Sequence, residues 1–129
     1  MRALMIAAAL LAGCAAGSAS RQLRGVEWAA VDVNGVPVTG RAPTLRLEEG
    51  RASGDAGCNR WGAPYELGAD EGIRIGEIES TQMACEPAAM EQEARFLAIL
   101  RAAQGYSFYG DGSFSIIASD GRAIRFRRR

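Results

Sequence analysis

The residues able to do chemistry in this 129-residue chain are few, and what is missing constrains them most. There is no histidine, and all 15 basic residues are arginine. Without histidine, Ser-His-Asp and Cys-His catalysis, His-ligated zinc and a histidine pH switch are excluded within the chain. Ser80 and Thr81 stand side by side before Cys85. A hydroxyl nucleophile needs a neighbouring base, and the chain has neither lysine nor histidine to supply one. A structural role is therefore expected for the pair. Carboxylates cluster at Glu48-Glu49, Asp70-Glu71 and Glu77 with Glu79. They fall in turns or on polar strand faces, whereas a glycosidase must hold two across a cleft. The run Gly54-Asp55-Ala56-Gly57-Cys58-Asn59 is glycine-rich but lacks the phosphate-loop pattern and leads into no helix. It is read as a tight turn presenting Cys58 and Asn59. No catalytic residue, metal site or cofactor is expected.

The three cysteines sort by position. Residues 1–13 carry one early charge, Arg2, and an apolar run from Ala3 to Leu11. That run is too short to span a bilayer and suits a signal-peptide core. It ends in Leu11-Ala12-Gly13-Cys14, which resembles the lipobox of bacterial lipoproteins. The resemblance implies cleavage before Cys14 and lipid on its new N-terminus. Ala15 at the next position implies sorting to the outer membrane, with the domain expected to face the periplasm. Residues 14–22 then form a small, polar tether, and residues 23–129 the domain. If Cys14 carries lipid, Cys58 and Cys85 remain as a pair in an oxidising compartment. A disulfide is expected, with a redox-active pair as the alternative. The spacing is far longer than C-x-x-C.

Balanced charge argues against nucleic acid as a partner. Loss of residues 1–13 leaves 116 residues and a formal charge of −1. Hydrophobic residues at 48% and charged residues at 23% fit one folded domain.

These residues need a scaffold, and the pattern supplies one. Asn34-Gly35, Glu49-Gly50, Asp70-Glu71-Gly72, Asp111-Gly112 and Asp120-Gly121 separate extended runs, as hairpin turns do. Between them apolar residues alternate, as in Leu45 and Leu47, Ile73 and Ile75, Phe114 and Ile116, and Ile124 and Phe126. In the first strand Val26, Trp28 and Ala30 share one parity, and Val31 and Val33 the other, which predicts a β-bulge. Glu86 to Ala103 instead has helical spacing, with Pro87 in the first turn and Gly105 as the expected stop. Glu86, Glu91 and Glu93 lie early and Arg101 late, as the helix dipole favours. The expected fold is mainly β: a small antiparallel barrel or strongly bent sheet packed against one amphipathic helix.

Three stretches together resemble the META domain, also called the HslJ heat-shock family. They are Ser53 to Arg60 with Gly62 and Tyr65, then Ser80-Thr81-Gln82-Met83-Ala84-Cys85, then Glu93, Phe96, Leu97 and Leu100 with Tyr106. Trp28 fits the family's opening strand, and the likeness runs from about Leu23 to Arg127. Departures are mild: Trp61 where tyrosine or phenylalanine is common, Ala63-Pro64 before the tyrosine, and Phe114 for leucine. The resemblance implies a small barrel with a packed helix, often exported and lipidated. Family members are linked to heat shock, novobiocin tolerance, and motility or virulence in parasites, without an agreed activity or cofactor. Gly57, Asn59, Ser80, Thr81 and Met83 are read as structural.

The functional expectation is a non-catalytic lipoprotein supporting stress or antibiotic tolerance through envelope or protein contacts. The membrane is its partner through Cys14, and an envelope protein is a second candidate. The alternatives are a carrier with an apolar cavity lined by Trp28, Leu45, Leu47, Phe114 and Phe126, and a thiol oxidoreductase. Trp61, after the Gly-Cys-Asn turn, is a candidate exposed anchor for a partner or ligand. Arg127 to Arg129 read as a solvated tail, with anionic lipid as the alternative.

Overall fold

A computed structural model of the chain describes residues 18–129. The expected signal segment and the expected lipidation at Cys14 fall outside the described residues. Ten strands form in order: β1 (Glu27–Val33), β2 (Val36–Pro37), β3 (Thr44–Glu48), β4 (Arg51–Asp55), β5 (Arg60–Leu67), β6 (Ile73–Ile75), β7 (Glu79–Ser80), β8 (Ala103–Phe108), β9 (Phe114–Ala118) and β10 (Ala123–Arg128). One long helix, α1 (Pro87–Arg101), lies between β7 and β8.

The sheet runs β6-β5-β4-β3-β1-β10-β9-β8, antiparallel throughout, with β2 appended to β1 and β7 to β5. Its two ends meet. Gly72 bridges Gly105, and the Tyr106 amide donates to the Glu71 carbonyl at 3.0 Å. The result is a nearly closed eight-stranded barrel, which leaves little free edge for aggregation.

The expected bulge is present. Register between β1 and β10 slips from Ala30 to Asp32, so Val31 is the extra residue. The bulge bends β1 and lets Trp28, Ala30 and Val33 all face the core. Asn34 at φ 51° and Gly35 at φ 84° make the left-handed turn that follows.

The helix covers one mouth of the barrel. Phe96 points in, 6.2 Å from the Trp61 ring and 6.3 Å from Phe126, and Ile99 and Leu100 are buried beside it. The opposite mouth is covered by the chain entering the domain. Residues 18–23 are helical, and Leu23 is fully buried. Its carbonyl accepts the Trp28 indole N–H at 3.0 Å, and Gly25 donates to Leu47. The polar tether expected over residues 14–22 is thus structured from residue 18 onward.

Two helix expectations are corrected. The helix stops before Gly105, at Ala102, whose N–H reaches Ile99 and Leu100 and whose carbonyl accepts Ser119 N–H. Gly105 instead sits in β8 at an irregularity in register, where a Cβ would lie 3.2 Å from the Glu71 carbonyl. Of the early glutamates only Glu86, at the N-cap, is placed to serve the dipole. The first helical turn contains no acid, and Glu93 points inward.

Candidate functional site

The motif residues of the sequence gather at the mouth beneath α1. The Ala56-Gly57-Cys58-Asn59 turn connects β4 to β5, closed by the Ala56 N–H to the Asn59 carbonyl at 2.7 Å. Gly57 has φ 114°, a conformation that side chains oppose. Its N–H is taken by Asp55 Oδ1 at 2.8 Å. The turn thereby aims the Cys58 and Asn59 amides at α1.

Glu93 receives them. Its Oε1 accepts the Cys58 N–H at 3.0 Å and the Asn59 N–H at 2.7 Å. Its Oε2 accepts Asn59 Nδ2 at 2.7 Å. Glu93 is only 6% exposed, and three donors satisfy it. Glu93 thus serves the Cys58–Asn59 turn and not the helix dipole that its early position suggested. The signal was present, because Glu93 falls on the apolar stripe with Phe96, Leu97 and Leu100, where a carboxylate has to find buried donors.

Asn59 then ties in the second motif. Its Oδ1 accepts the Met83 N–H at 2.7 Å and the Thr81 hydroxyl at 2.9 Å. Its Nδ2 also donates to the Met83 carbonyl at 3.2 Å. The amide makes four hydrogen bonds, its full capacity. Thr81 Oγ1 in turn accepts the Arg60 N–H at 3.1 Å, and Ser80 pairs through its backbone with Trp61. Met83 contributes backbone only, since its side chain is exposed. Gln92 repeats the device one residue before Glu93. Its amide clips Thr39, accepting the N–H and donating to the carbonyl, both at 3.1 Å. Nothing in the sequence pattern singled it out.

Cys58 and Cys85 form the expected disulfide, with Cα atoms 6.1 Å apart. Cys58 is buried and Cys85 exposed. The bond closes the Cys85 segment onto the same turn that Asn59 and Glu93 brace.

Trp61 does not stand out as an anchor. It is 4% exposed, its indole N–H donates to the Thr44 carbonyl at 3.1 Å, and its ring packs on Phe96. Alternation along β5 turns it inward, and the preceding turn does not lift it to the rim. The residues expected to line an apolar cavity pack against one another. Trp28 lies 4.6 Å from Phe114, which stacks on Phe126 at 5.2 Å. These three and Leu45 and Leu47 are all fully buried. These rings occupy the part of the interior around Trp28, Phe114 and Phe126.

At the far mouth Asp111 accepts Ser113 N–H at 3.0 Å and Ser113 Oγ at 2.6 Å, with Arg125 and Arg127 each at 3.3 Å. The Ser113 hydrogen bonds, aided by the arginine charges, hold its carboxyl down at about 2. Arg127 is thus an ion-paired strand residue. Arg129 pairs with Glu27 at 3.4 Å and Arg128 lies over the Trp28 ring at 5.3 Å, so the three do not form a free tail. Burial, and secondarily Glu71, raise the Tyr106 hydroxyl above its usual range. Among the described residues no cluster of cysteines and carboxylates is placed to hold a metal ion, and no helix is long and apolar enough to cross a membrane.

A small closed barrel, capped by one helix and pinned by G-C-N, S-T-x-M-A-C and an inward glutamate, defines a class of domain. The family model for the META domain matches residues 21–129, and the chain belongs to that family. Comparison with curated proteins returns no match. Among solved structures, a protein from Burkholderia xenovorans determined by NMR is 23% identical, with TM-score 0.69 over 87% of each chain. A second NMR structure is 20% identical, with TM-score 0.67 over 83% of this chain and 92% of that one. A DUF4847 family protein from Bacteroides vulgatus is 12% identical, with TM-score 0.60 over 84% and 96%. These likenesses concern the fold alone.

Proposed function

We propose that this META-domain chain is a non-catalytic envelope lipoprotein, held at the outer membrane by lipid on Cys14, that supports stress or antibiotic tolerance through envelope or protein contacts. The observation that carries the reading is how the motif side chains are used. Asn59 makes four hydrogen bonds, Glu93 three, and Thr81 donates to Asn59 while accepting from Arg60. Groups whose hydrogen bonds are committed to holding the fold are poorly placed to serve a reacting substrate. The Cys58–Cys85 bond suits an oxidising compartment. Lipid attachment would confine the domain to one membrane face and raise its effective concentration near partners there.

Growth of the native host with radiolabelled palmitate tests the anchor. The expected result is label on the wild-type chain, and loss of both label and membrane association in Cys14→Ala. Wild-type protein that carries no label would overturn the lipoprotein reading. In-cell crosslinking of the labelled protein tests the contact role, with one abundant envelope partner as the expected product. Turnover of an envelope substrate by the purified protein would count against a non-catalytic role.

A further inference from the structure

A half-open groove of about 380 Å³ runs along the outer wall of β1, β3, β4 and β5, beside the motif cluster at Asp55 and Arg60. Its size falls at the lower end of the range of roughly 300–1,000 Å³ for small-molecule sites. Arg41, Arg46, Arg60 and Arg129 surround it, with Glu27 and Asp55 as the acids. Those side chains sum to an excess of two positive charges, in a chain whose net charge is zero. Gly54 lies in the groove wall, and a Cβ there would collide with the Thr44 carbonyl. The missing side chain lets β4 approach β3 closely at this point.

The arginines differ in how far they are committed. Arg41 pairs with Asp55, and Arg129 with Glu27 at 3.4 Å. Arg46 donates to the Gly25 carbonyl at 3.0 Å and reaches Glu48 at 3.4 Å. Among the described residues Arg60 makes no ion pair at all. Exposed pairs of this kind hold their partners weakly, so the guanidinium forks remain available to a stronger anion. Guanidinium binds phosphate and carboxylate oxygens in bidentate fashion. A phosphomonoester carries about −1.5 to −2 at pH 7, which matches the excess charge, whereas a single carboxylate leaves half of it unmet.

We infer that this groove is a binding site for a phosphomonoester, with Arg60 and Arg46 as its principal donors and room beside them for the group that bears the phosphate. The phosphate comes either from a soluble sugar phosphate or from the headgroup of a phosphatidic acid.

The test is an NMR titration of the ¹⁵N-labelled full chain with glucose 1-phosphate. Saturable shifts confined to the amides of Ser53, Gly54, Asp55 and Arg60 are expected, with none from glucose and weaker ones from glucuronate. Arg60→Ala should weaken binding at least fivefold with the thermal midpoint unchanged, since that side chain makes no bond within the fold. Arg122→Ala, outside the groove, should leave binding unchanged. Dihexanoyl phosphatidic acid separates the two sources. Binding at least tenfold tighter than glucose 1-phosphate assigns the site to the lipid headgroup, and equal or weaker binding assigns it to soluble phosphoesters. Absence of saturable shifts, equal response to glucuronate, or indifference to Arg60→Ala would overturn the proposal.

Discussion

Removing the Glu93 carboxylate should cost more than any surface change in this domain, and the hydrogen bonds say how much. In Glu93→Ala the Cys58 and Asn59 N–H groups lose their acceptor while still covered by α1. Each orphaned buried donor costs about 1–3 kcal/mol, so the pair costs about 2–6 kcal/mol. Asn59 Nδ2 also loses a bond but keeps Met83. Glu93→Gln is the sharper probe. One amide oxygen can still accept both backbone N–H groups, but its NH₂ then faces the Asn59 NH₂ where Oε2 stood. One hydrogen bond becomes a donor–donor clash, for an expected loss of about 1–3 kcal/mol. A domain of this size is stable by roughly 5–15 kcal/mol, so the alanine variant approaches the margin. Urea denaturation followed by far-ultraviolet circular dichroism at pH 7, with the disulfide intact, reads both. With a slope of about 1.5 kcal/mol per M, the midpoint should fall by about 0.7–2 M for glutamine and further for alanine. A glutamine variant within 0.5 M of wild type, or an alanine variant more stable than glutamine, would refute the idea that Glu93 is held there by its donors.

Two further outcomes follow from the same geometry. Cys58→Ser with Cys85→Ser opens a loop whose ends are 27 positions apart, and the chain-entropy relation gives a loss of about 3.6 kcal/mol. Differential scanning calorimetry should show the midpoint down by about 10–15 °C, and no drop would mean that Asn59 and Glu93 alone close the turn. The Asp111 carboxyl is held at about 2 in the folded chain, below its ordinary value of 3.8. A depressed carboxyl contributes stability above the ordinary value and loses it as pH falls through the folded one. Stability should therefore decline between pH 4 and pH 2, and Asp111→Asn should flatten that decline. An unchanged slope in urea titrations at those pH values would refute the assignment.

Local signals in the sequence carried through where backbone geometry alone decides. The parity switch at Val31 became the β1 bulge, because two residues on one strand must oppose one on its neighbour when apolar parity changes. Pro87 opened the helix, and the Asn-Gly and Asp-Gly turns closed hairpins. The errors arose where distant residues decide. Gly105 looked like a helix stop, but its lack of a side chain serves the seam with Gly72, a partner more than thirty positions away in sequence. Trp61 looked exposed because it follows a glycine-rich turn, yet Phe96 on α1 covers it. In the site, the G-C-N and S-T-x-M-A-C motifs were readable as structural. Glu93 was legible as a carboxylate on the apolar stripe but not in its partners, and Gln92 was not legible at all, because the Thr39 backbone it clips carries no side-chain signature. The anion groove was equally invisible, since its arginines come from four separate segments.

The placement of β1 also sets an order of events during synthesis. β1 lies in the middle of the sheet, between β3 and β10, and Trp28 pairs with Arg128. A nascent chain can form the hairpins from β3 to β6, but the barrel has no closing neighbour for its first strand until its last has been made. Pairing across so long a separation is slow and comes late. The seam between β1 and β10 therefore stays open until β10 arrives, even where the earlier hairpins have already formed, so closure of the barrel waits on its last strand.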